Sequence, residues 1–511
     1  MSVAPQRMIL DSDPRKEMGE DDQVEVASQG GPRDEESFNF HFDPEVDRKA
    51  VYKLDLLLQP ILFGTFILLL LDRANVGNAR VAGLQKDLRL TDHQFQISRG
   101  PALMVTFIPY ILIELPSAMV LRLIGPRWML PGLCICWGIV TTLESLIQNY
   151  AGFIACRFFI GLCEGGVFPG YVVVLAEFYR RHEIQKRIAI LYCAAALAGA
   201  FGGLLAAAIE QMDGLAGLAG WRWIFLIEGL FTVCWGFATL WIMPSTPRDV
   251  ITFTAEQKEY YVKRMAVDKQ TKAEDDAKVT ARDILACLTE PHFLMIAVMS
   301  FAVGAVAQGV SYFTPSVVQT FGYSKTATQL LTVPPFTFAL VITLVAGYVA
   351  DRYRRRGLVA IVTAALGAIG CILNFSGTSL QYRYTGLFFL IAGIYSCAPT
   401  ILAWLPNNMA AYGKRSTAVA VGFMVSNSGG ILGVWIYPTK DAPRYLPATS
   451  ANIAFLATVI VLSVAQIFLL KHLNKRKIDG REELLHGREH LSFERQMKEL
   501  GDHHPDFKYT L

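Results

Sequence analysis

The sequence predicts an all-α membrane protein with twelve transmembrane helices in two six-helix pseudo-repeats. Three observations carry that expectation. The 511 residues are 53% hydrophobic and only 18% charged, a balance far from that of a soluble chain of this length. Apolar runs long enough to cross about 30 Å of hydrocarbon as a helix occur six times, stop for a polar interval, and occur six times more. A basic turn follows the second run of each set.

The first set lies near residues 54–79, 96–121, 128–147, 151–178, 187–210 and 222–243. The second lies near 292–320, 328–350, 358–378, 384–411, 416–438 and 449–471. The chain therefore divides into a disordered tail (1–50), a six-helix bundle (51–243), a central loop (244–290), a second bundle (291–471) and a C-terminal tail (472–511). The first tail is polar and acidic ("DEESFNFHFDPEVDRK") and lacks the basic-then-apolar order of a cleavable signal peptide, so the first apolar run acts as the targeting signal. In the central loop, Thr254 with Gln257 fits a capping box that opens a short amphipathic helix.

Alternate loops hold the Lys and Arg. Arg122 and Arg127 lie between spans two and three; Arg180, Arg181, Lys186 and Arg187 between four and five; Arg352, Arg354, Arg355 and Arg356 between eight and nine; Lys414 and Arg415 between ten and eleven. Lys471, Lys475, Arg476 and Lys477 follow span twelve, whereas the loop at "LIQNY" has no charge. By the positive-inside rule both termini and the central loop face the cytoplasm. "GYVADRYRRR" (347–356) and "AMVLRLIGPRW" (118–128) are equivalent basic turns; aligned on Gly125, the first copy has Arg122 where the second has Asp351 and the second has Arg354 in place of the glycine. Gly347, Asp351 and Arg352 are therefore structural or gating candidates, and parallel halves around a midplane site are the build of a secondary transporter.

Several function classes are excluded. The net charge of +3 comes in short clusters with no continuous basic face, which leaves no nucleic-acid partner. Eight of the nine cysteines fall inside apolar runs, and Cys287 lies in the polar linker; all read as free thiols. Cys134 and Cys136 point to different helix faces with no flanking His, so no metal is expected, and no cofactor either. No Ser-His-Asp set, HExxH or Walker loop is present, so the chain is not an enzyme. The expected partners are the lipid bilayer, a small organic anion and protons, with the protein a monomer.

The stretch "ILLLLDRANVGNARVAGL" (67–84) carries the sharpest signal. From Leu56 to Leu71 sixteen residues carry no charge, roughly 24 Å of helix and too short to span. The helix must continue to about Ala79, which puts Asp72 and Arg73 inside the membrane, where charges face a cavity or a partner. A second cluster lies in "RFFIGLCEGGVFPG" (157–170): Arg157, Gly161, Glu164, Gly165 and Phe168 share one helical face, with small residues that admit a neighbouring helix. An arginine can hold a substrate carboxylate, and a carboxyl group in low dielectric can bind and release a proton. Arg73 is assigned to substrate, Asp72 and Glu164 to proton coupling. Arg157 is either part of this machinery or structural, paired with Glu114. In the second half Gln308, Tyr312, Asn407, Asn408 and Asn427 form a polar cavity lining, with Tyr312, Asn407 and Asn408 taken as substrate contacts.

"LDRANVGNARVAGLQKDLRLTDHQFQ", "RFFIGLCEGGVFPG", "EFYRRHEIQKRIAILYCAAALAGAFGGLLA", "GWRWIFLIEGL" and "DRYRRR" together resemble the fungal allantoate-permease, or anion:cation-symporter, branch of the major facilitator superfamily. The likeness runs from about residue 45 to 471, and "DAPRYLP" and "PDFKYTL" look most like the high-affinity nicotinic acid transporters. It implies a proton-coupled symporter importing a small organic anion, a nicotinate-like compound or another vitamin or carboxylate, across the plasma membrane by alternating access. It also implies that Asp72, Arg73 and Glu164 carry coupling and anion recognition. Arg122 departs from the superfamily's acidic loop residue. A metabolite exporter of the same fold associated with a secondary-metabolite pathway, and a non-transporting nutrient sensor, are the alternatives.

Overall fold

The computed structural model describes residues 43–90, 104–275, 289–376, 379–409, 412–437, 441–442, 444–481, 485–487, 490, 496 and 500–511. Expectations that rest on residues 1–42, on 91–103, on Cys287, or on the side chains of Arg122, Arg181, Lys186, Lys414 and Arg415 lie outside the described residues. Among the described residues there is no strand.

The first half contains α1 (Pro44–Ala82), α2 (Met104–Ile124), α3 (Pro126–Glu144), α4 (Tyr150–Glu164), α5 (Val167–Phe178), α6 (Arg181–Glu210) and α7 (Gly220–Ile242). The linker holds α8 (Ala255–Asp275). The second half contains α9 (Pro291–Gln319), α10 (Lys325–Tyr353), α11 (Arg356–Ser376), α12 (Leu380–Asn407), α13 (Tyr412–Trp435) and α14 (Leu446–Asp479). Among the described residues nine helical stretches are long and apolar enough to cross a membrane, with α4 and α5 counted as one; α2, α3 and α13 complete six and six.

Local chemistry explains the ends. Asp43 caps α1, its side chain accepting the amides of Glu45 at 2.8 Å and Val46 at 3.3 Å. The helix therefore starts inside the segment expected to be disordered, because Pro44 and the acidic first turn suit an N-terminus. The single span expected over 151–178 is broken after Glu164, at Gly165 and Gly166, into α4 and α5. The capping box expected at the linker helix is formed: the Thr254 amide donates to Gln257 at 3.2 Å and the Gln257 amide to Thr254 Oγ1 at 3.3 Å. Each basic turn has one residue at positive φ, Gly125 at +84° and Arg354 at +52°, but the two differ in ψ, 153° against 33°, so the turns are not built alike.

Small residues set the packing. In the first half α3 meets α7 where Gly138 faces the Gly229 carbonyl, and in the second half α9 meets α13 where Gly304 and Gly429 face backbone carbonyls. Such contacts bring helices together in a bilayer, where no hydrophobic drive separates lipid from leucine. Between the halves α6 packs on α10, α2 on α13 and α1 on α9. An exchange of halves converts the α2–α13 pair into the α10–α6 pair, so the repeat read in the sequence is also a repeat of packing.

Each half carries its own strap at the linker end. Arg264 of α8 bonds Asp47 of α1 and Glu183 of α6, both at 2.5 Å, and Tyr261 donates to the Phe178 carbonyl at 2.7 Å. On the second half, residues 500–511 dock against α12 and α14. Asn408 accepts the Thr510 amide at 2.7 Å, and Asn474 accepts the Tyr509 amide at 2.9 Å. Lys477 donates to the carbonyls of Asp502 and Phe507 and lies 3.6 Å from the Tyr509 ring centroid.

Candidate functional site

Asp72 and Arg73 lie inside α1, 4% and 7% exposed. Arg73 Nε donates to Glu164 Oε2 at 2.9 Å, and its guanidinium lies 4.6 Å from the Tyr110 ring centroid and 5.9 Å from that of Phe107. Phe107 meets Tyr312 of the second half edge-on, centroids 6.4 Å apart. Arg73 thus sits near the seam between the halves, among ring faces that attract a cation. Asp72 accepts from Thr141 of α3 at its Oδ1, 3.4 Å, and adjoins the same Glu164 as well as Arg157.

The Glu164 face is buried as its spacing predicts: Arg157, Gly161, Glu164, Gly165 and Phe168 are all covered. A Cβ at Gly161 would overlap the Thr106 carbonyl, and one at Gly165 would overlap Tyr110 and Ile113, so α4 lies hard against α2. That approach presents Glu164 to the Arg73 that α2's aromatics support.

Arg157 does not pair with Glu114. It makes a two-point ion pair with Glu144, its Nε donating to Oε1 at 2.8 Å and its Nη2 to Oε2. The short α3–α4 turn, with Asn149 capping α4, brings the end of α3 against the second turn of α4, whereas Glu114 sits on another helix. Glu114 is itself 3% exposed with Oε2 lacking a partner.

In the second half, Tyr312 joins the seam, 3% exposed, its backbone carbonyl where a Cβ on Gly77 would lie. Asn408 is bonded elsewhere. Asn407 and Asn408 end α12 at the strap end, and Asn408 is engaged by Thr510 and Trp404. Proximity to Pro406 suggests a cavity lining, but the bonds of Asn408 go to the tail. At the α10–α11 turn Asp351 accepts from Arg356 at 2.8 Å, which clasps a turn within its own half, while Arg352 is exposed and Gly347 has open space beside it. A cleft lined by Phe313, Asn374, Tyr437, Arg444 and Asn452 lies wholly within the second half, away from the buried ion pairs.

Two acidic residues went unassigned in the sequence. Glu144 and Glu228 are 0% and 6% exposed, and Glu228 Oε2 accepts from Asn75, one turn along α1 from Asp72. Glu228 was legible as the lone charge in "WIFLIEGLFTVCWGF", an otherwise uncharged run.

Two six-helix halves with an ion pair buried beside their seam are the build of a multi-pass membrane transporter. The chain belongs to the Major Facilitator Superfamily, whose family model matches residues 61–434. It is 33% identical to the MFS-type transporter efuF of Hormonema carpetanum, covering 86% of this chain and 89% of that one. It is 28% identical to the high-affinity nicotinic acid transporter of Saccharomyces cerevisiae, covering 91% and 85%. Among solved structures it shares the fold of the proton:xylose symporter XylE (TM-score 0.63, 17% identity, 81% of this chain and 95% of that one). It also shares that of a bacterial homologue of the lysosomal transporter Spinster in an inward-facing conformation (TM-score 0.61, 14% identity, 84% and 97%).

Proposed function

We propose that the protein is a proton-coupled symporter that imports a small organic anion across the plasma membrane by alternating access, acting as a monomer with both termini cytoplasmic. The observation that supports this reading is the Arg73–Glu164 pair at the seam. One guanidinium can be neutralised by Glu164 or by a substrate carboxylate, and a second anion beside it in low dielectric is costly. Protonation of Glu164 frees Arg73 to take the substrate carboxylate through parallel N–H bonds. Loss of that proton restores the internal pair and expels the anion. One anion then moves with one proton, and Tyr312 and Phe107 supply the aromatic wall for a flat ring.

The nicotinic acid transporter among the relatives makes nicotinate the first probe. In proteoliposomes with an acidic exterior, nicotinate accumulates. Glu164→Gln abolishes accumulation while counterflow exchange persists, because a neutral amide leaves Arg73 available but carries no proton. Uptake indifferent to both the gradient and the substitution would overturn the coupling assignment. Radiolabelled nicotinate uptake by cells lacking their own transporter decides direction; equal uptake with and without the protein would favour export or another anion.

A further inference from the structure

Cations at the linker end are treated differently in the two halves. In the first half Arg187 donates to both oxygens of Asp55, each at 2.7 Å, and Arg264 is held by Asp47 and Glu183. In the second half Asp351 is already clasped by Arg356. The side chains of Arg352, Arg354 and Arg355 in the same turn are exposed and form no ion pair or hydrogen bond among the described residues. Lys471 and Lys475 of α14 are exposed and unpaired in the same sense.

Packing gathers these cations into one rim. Gly357, at the start of α11, lies hard against α14, where a Cβ would come within 2.8 Å of Ile467. Lys471 and Lys475 follow Ile467 by one and two helical turns. The rim also stands at the foot of two apolar stripes. On α10 Val341, Val345 and Tyr348 are exposed and Arg352 continues their spacing; on α14 Val461, Val464 and Phe468 are exposed and Lys471 and Lys475 continue theirs. Residues three and four apart share a helix face, so each stripe runs from apolar side chains to charge. Of the described spans counted by length and composition, α10 and α14 bury the smallest shares of their apolar stretches, which leaves both faces open to lipid.

A cation that only fixes the depth of a helix end snorkels alone. Here several bare charges crowd one turn, where an anion relieves their repulsion. The backbone supports the same reading. Arg354 adopts φ +52°, a region that a side chain disfavours, whereas the positive-φ residue in the first-half turn is Gly125. The arginine therefore serves through its guanidinium and not through the shape of the turn.

We propose that Arg352, Arg354, Arg355, Lys471 and Lys475 bind the headgroup of an anionic phospholipid whose acyl chains lie along the exposed stripes of α10 and α14. A guanidinium presents paired N–H donors that match phosphate oxygens. Tyr348 and Tyr353, both exposed, supply aromatic side chains at the headgroup level. Placement in the cytoplasmic leaflet, where anionic lipid concentrates, rests on the orientation proposed above; the binding itself does not.

Full-length protein in nanodiscs of phosphatidylcholine with a minor fraction of phosphatidylinositol 4-phosphate, released with its bound lipids into a mass spectrometer, reports which lipid is retained. The wild type is expected to hold the phosphoinositide well above its share of the bilayer, and high salt to reduce that excess. Each cation near an anionic surface contributes about five-fold. Arg354→Gly with Arg355→Gln therefore lowers the excess roughly twenty-five-fold. Arg354→Gly alone lowers it about five-fold with no fall in melting temperature, because glycine suits the left-handed turn, and that separates lost binding from misfolding. Arg127→Gln, at the corresponding turn of the first half, leaves the excess unchanged. Retention in proportion to bilayer composition in the wild type, an excess untouched by the paired change, or an equal fall in Arg127→Gln would overturn the proposal. Both leaflets of a nanodisc carry the lipid, so these outcomes do not depend on orientation. A wild type that binds the phosphoinositide but moves no protons with nicotinate overturns the coupling reading and supports this one.

Discussion

Arg157 and Glu144 show how little a buried charge means without its partner. Both are essentially inaccessible and joined by two hydrogen bonds. Removing one member of such a pair strands the other in low dielectric, at about 3–5 kcal/mol. Glu144→Gln is therefore expected to lower the melting temperature and yield of the purified protein sharply. A double change to apolar residues of similar volume, Glu144→Leu with Arg157→Met, should recover most of the loss. Thermal unfolding in detergent checks this, and a double variant no more stable than either single one would overturn the account of the loss as a stranded charge. Arg73 differs because its environment admits an exchange of partner: two aromatic rings flank it and Glu164 retains an oxygen, Oε1, without a hydrogen bond.

At the scale of elements, the straps decide which pieces move together. The C-terminal segment holds α12 through Asn408 and α14 through Asn474 and Lys477. Asn408→Ala removes the hydrogen bonds to the Thr510 amide, hydroxyl and carbonyl. At about 1 kcal/mol each for two of them, docking weakens roughly thirty-fold. Hydrogen exchange at Tyr509 and Thr510 measures that release. The strap also responds to acid. Burial holds the His504 imidazole below its usual 6.5, and its Nδ1 accepts the Asp506 amide at 3.1 Å, which requires that nitrogen unprotonated. Burial outweighs the attraction of Asp506, and Arg481 and Lys477 act in the same direction as burial. The released tail then binds a proton more readily than the docked one, so docking is complete above about pH 6.5 and weakens as pH falls below it. After correction for intrinsic rates, tail exchange should rise on acidification in the wild type and stay flat in His504→Gln.

For the whole molecule, the described contacts between halves gather toward the end opposite the linker. Lys325 lies 3.9 Å from Glu210 and donates to the Ala82 carbonyl at 3.4 Å. Arg80 reaches Ser316 at 3.5 Å. Gly199 faces the Phe336 ring, and Gly203 faces Thr332. Deeper, Phe168 and Phe423 meet with ring centroids 3.9 Å apart. The described bonds of the straps stay within their own halves, so rocking of one half on the other breaks the seam and leaves those bonds in place. A cystine between Arg80→Cys and Ser316→Cys should lock this closed end and stop transport, with full recovery on reduction. Transport that continues with the cross-link formed would show that this end does not open. Gly203→Val should act oppositely, since a larger side chain against Thr332 disfavours closure, and spin-label distances across the seam would lengthen.

Much of this was legible because membrane physics acts on length and charge directly. The shortfall of the uncharged run Leu56–Leu71 placed Asp72 and Arg73 within a helix, and the spacing of Arg157, Gly161 and Glu164 placed them on one buried face. Those inferences need only the rise of a helix and the thickness of hydrocarbon. Asn408 misled because an amide near a proline reads alike in a cavity and at a docking surface for the tail. Arg157 could not be matched to Glu144 over Glu114, since either choice depends on how helices cross. The sequence by itself determined the number of spans, their repeat and the burial of Asp72, Arg73, Arg157 and Glu164. Tertiary structure decided which of those charges meet, because pairing in the membrane is set by close approach of small residues on different helices. No spacing along the chain records where Gly161 will lie against Thr106.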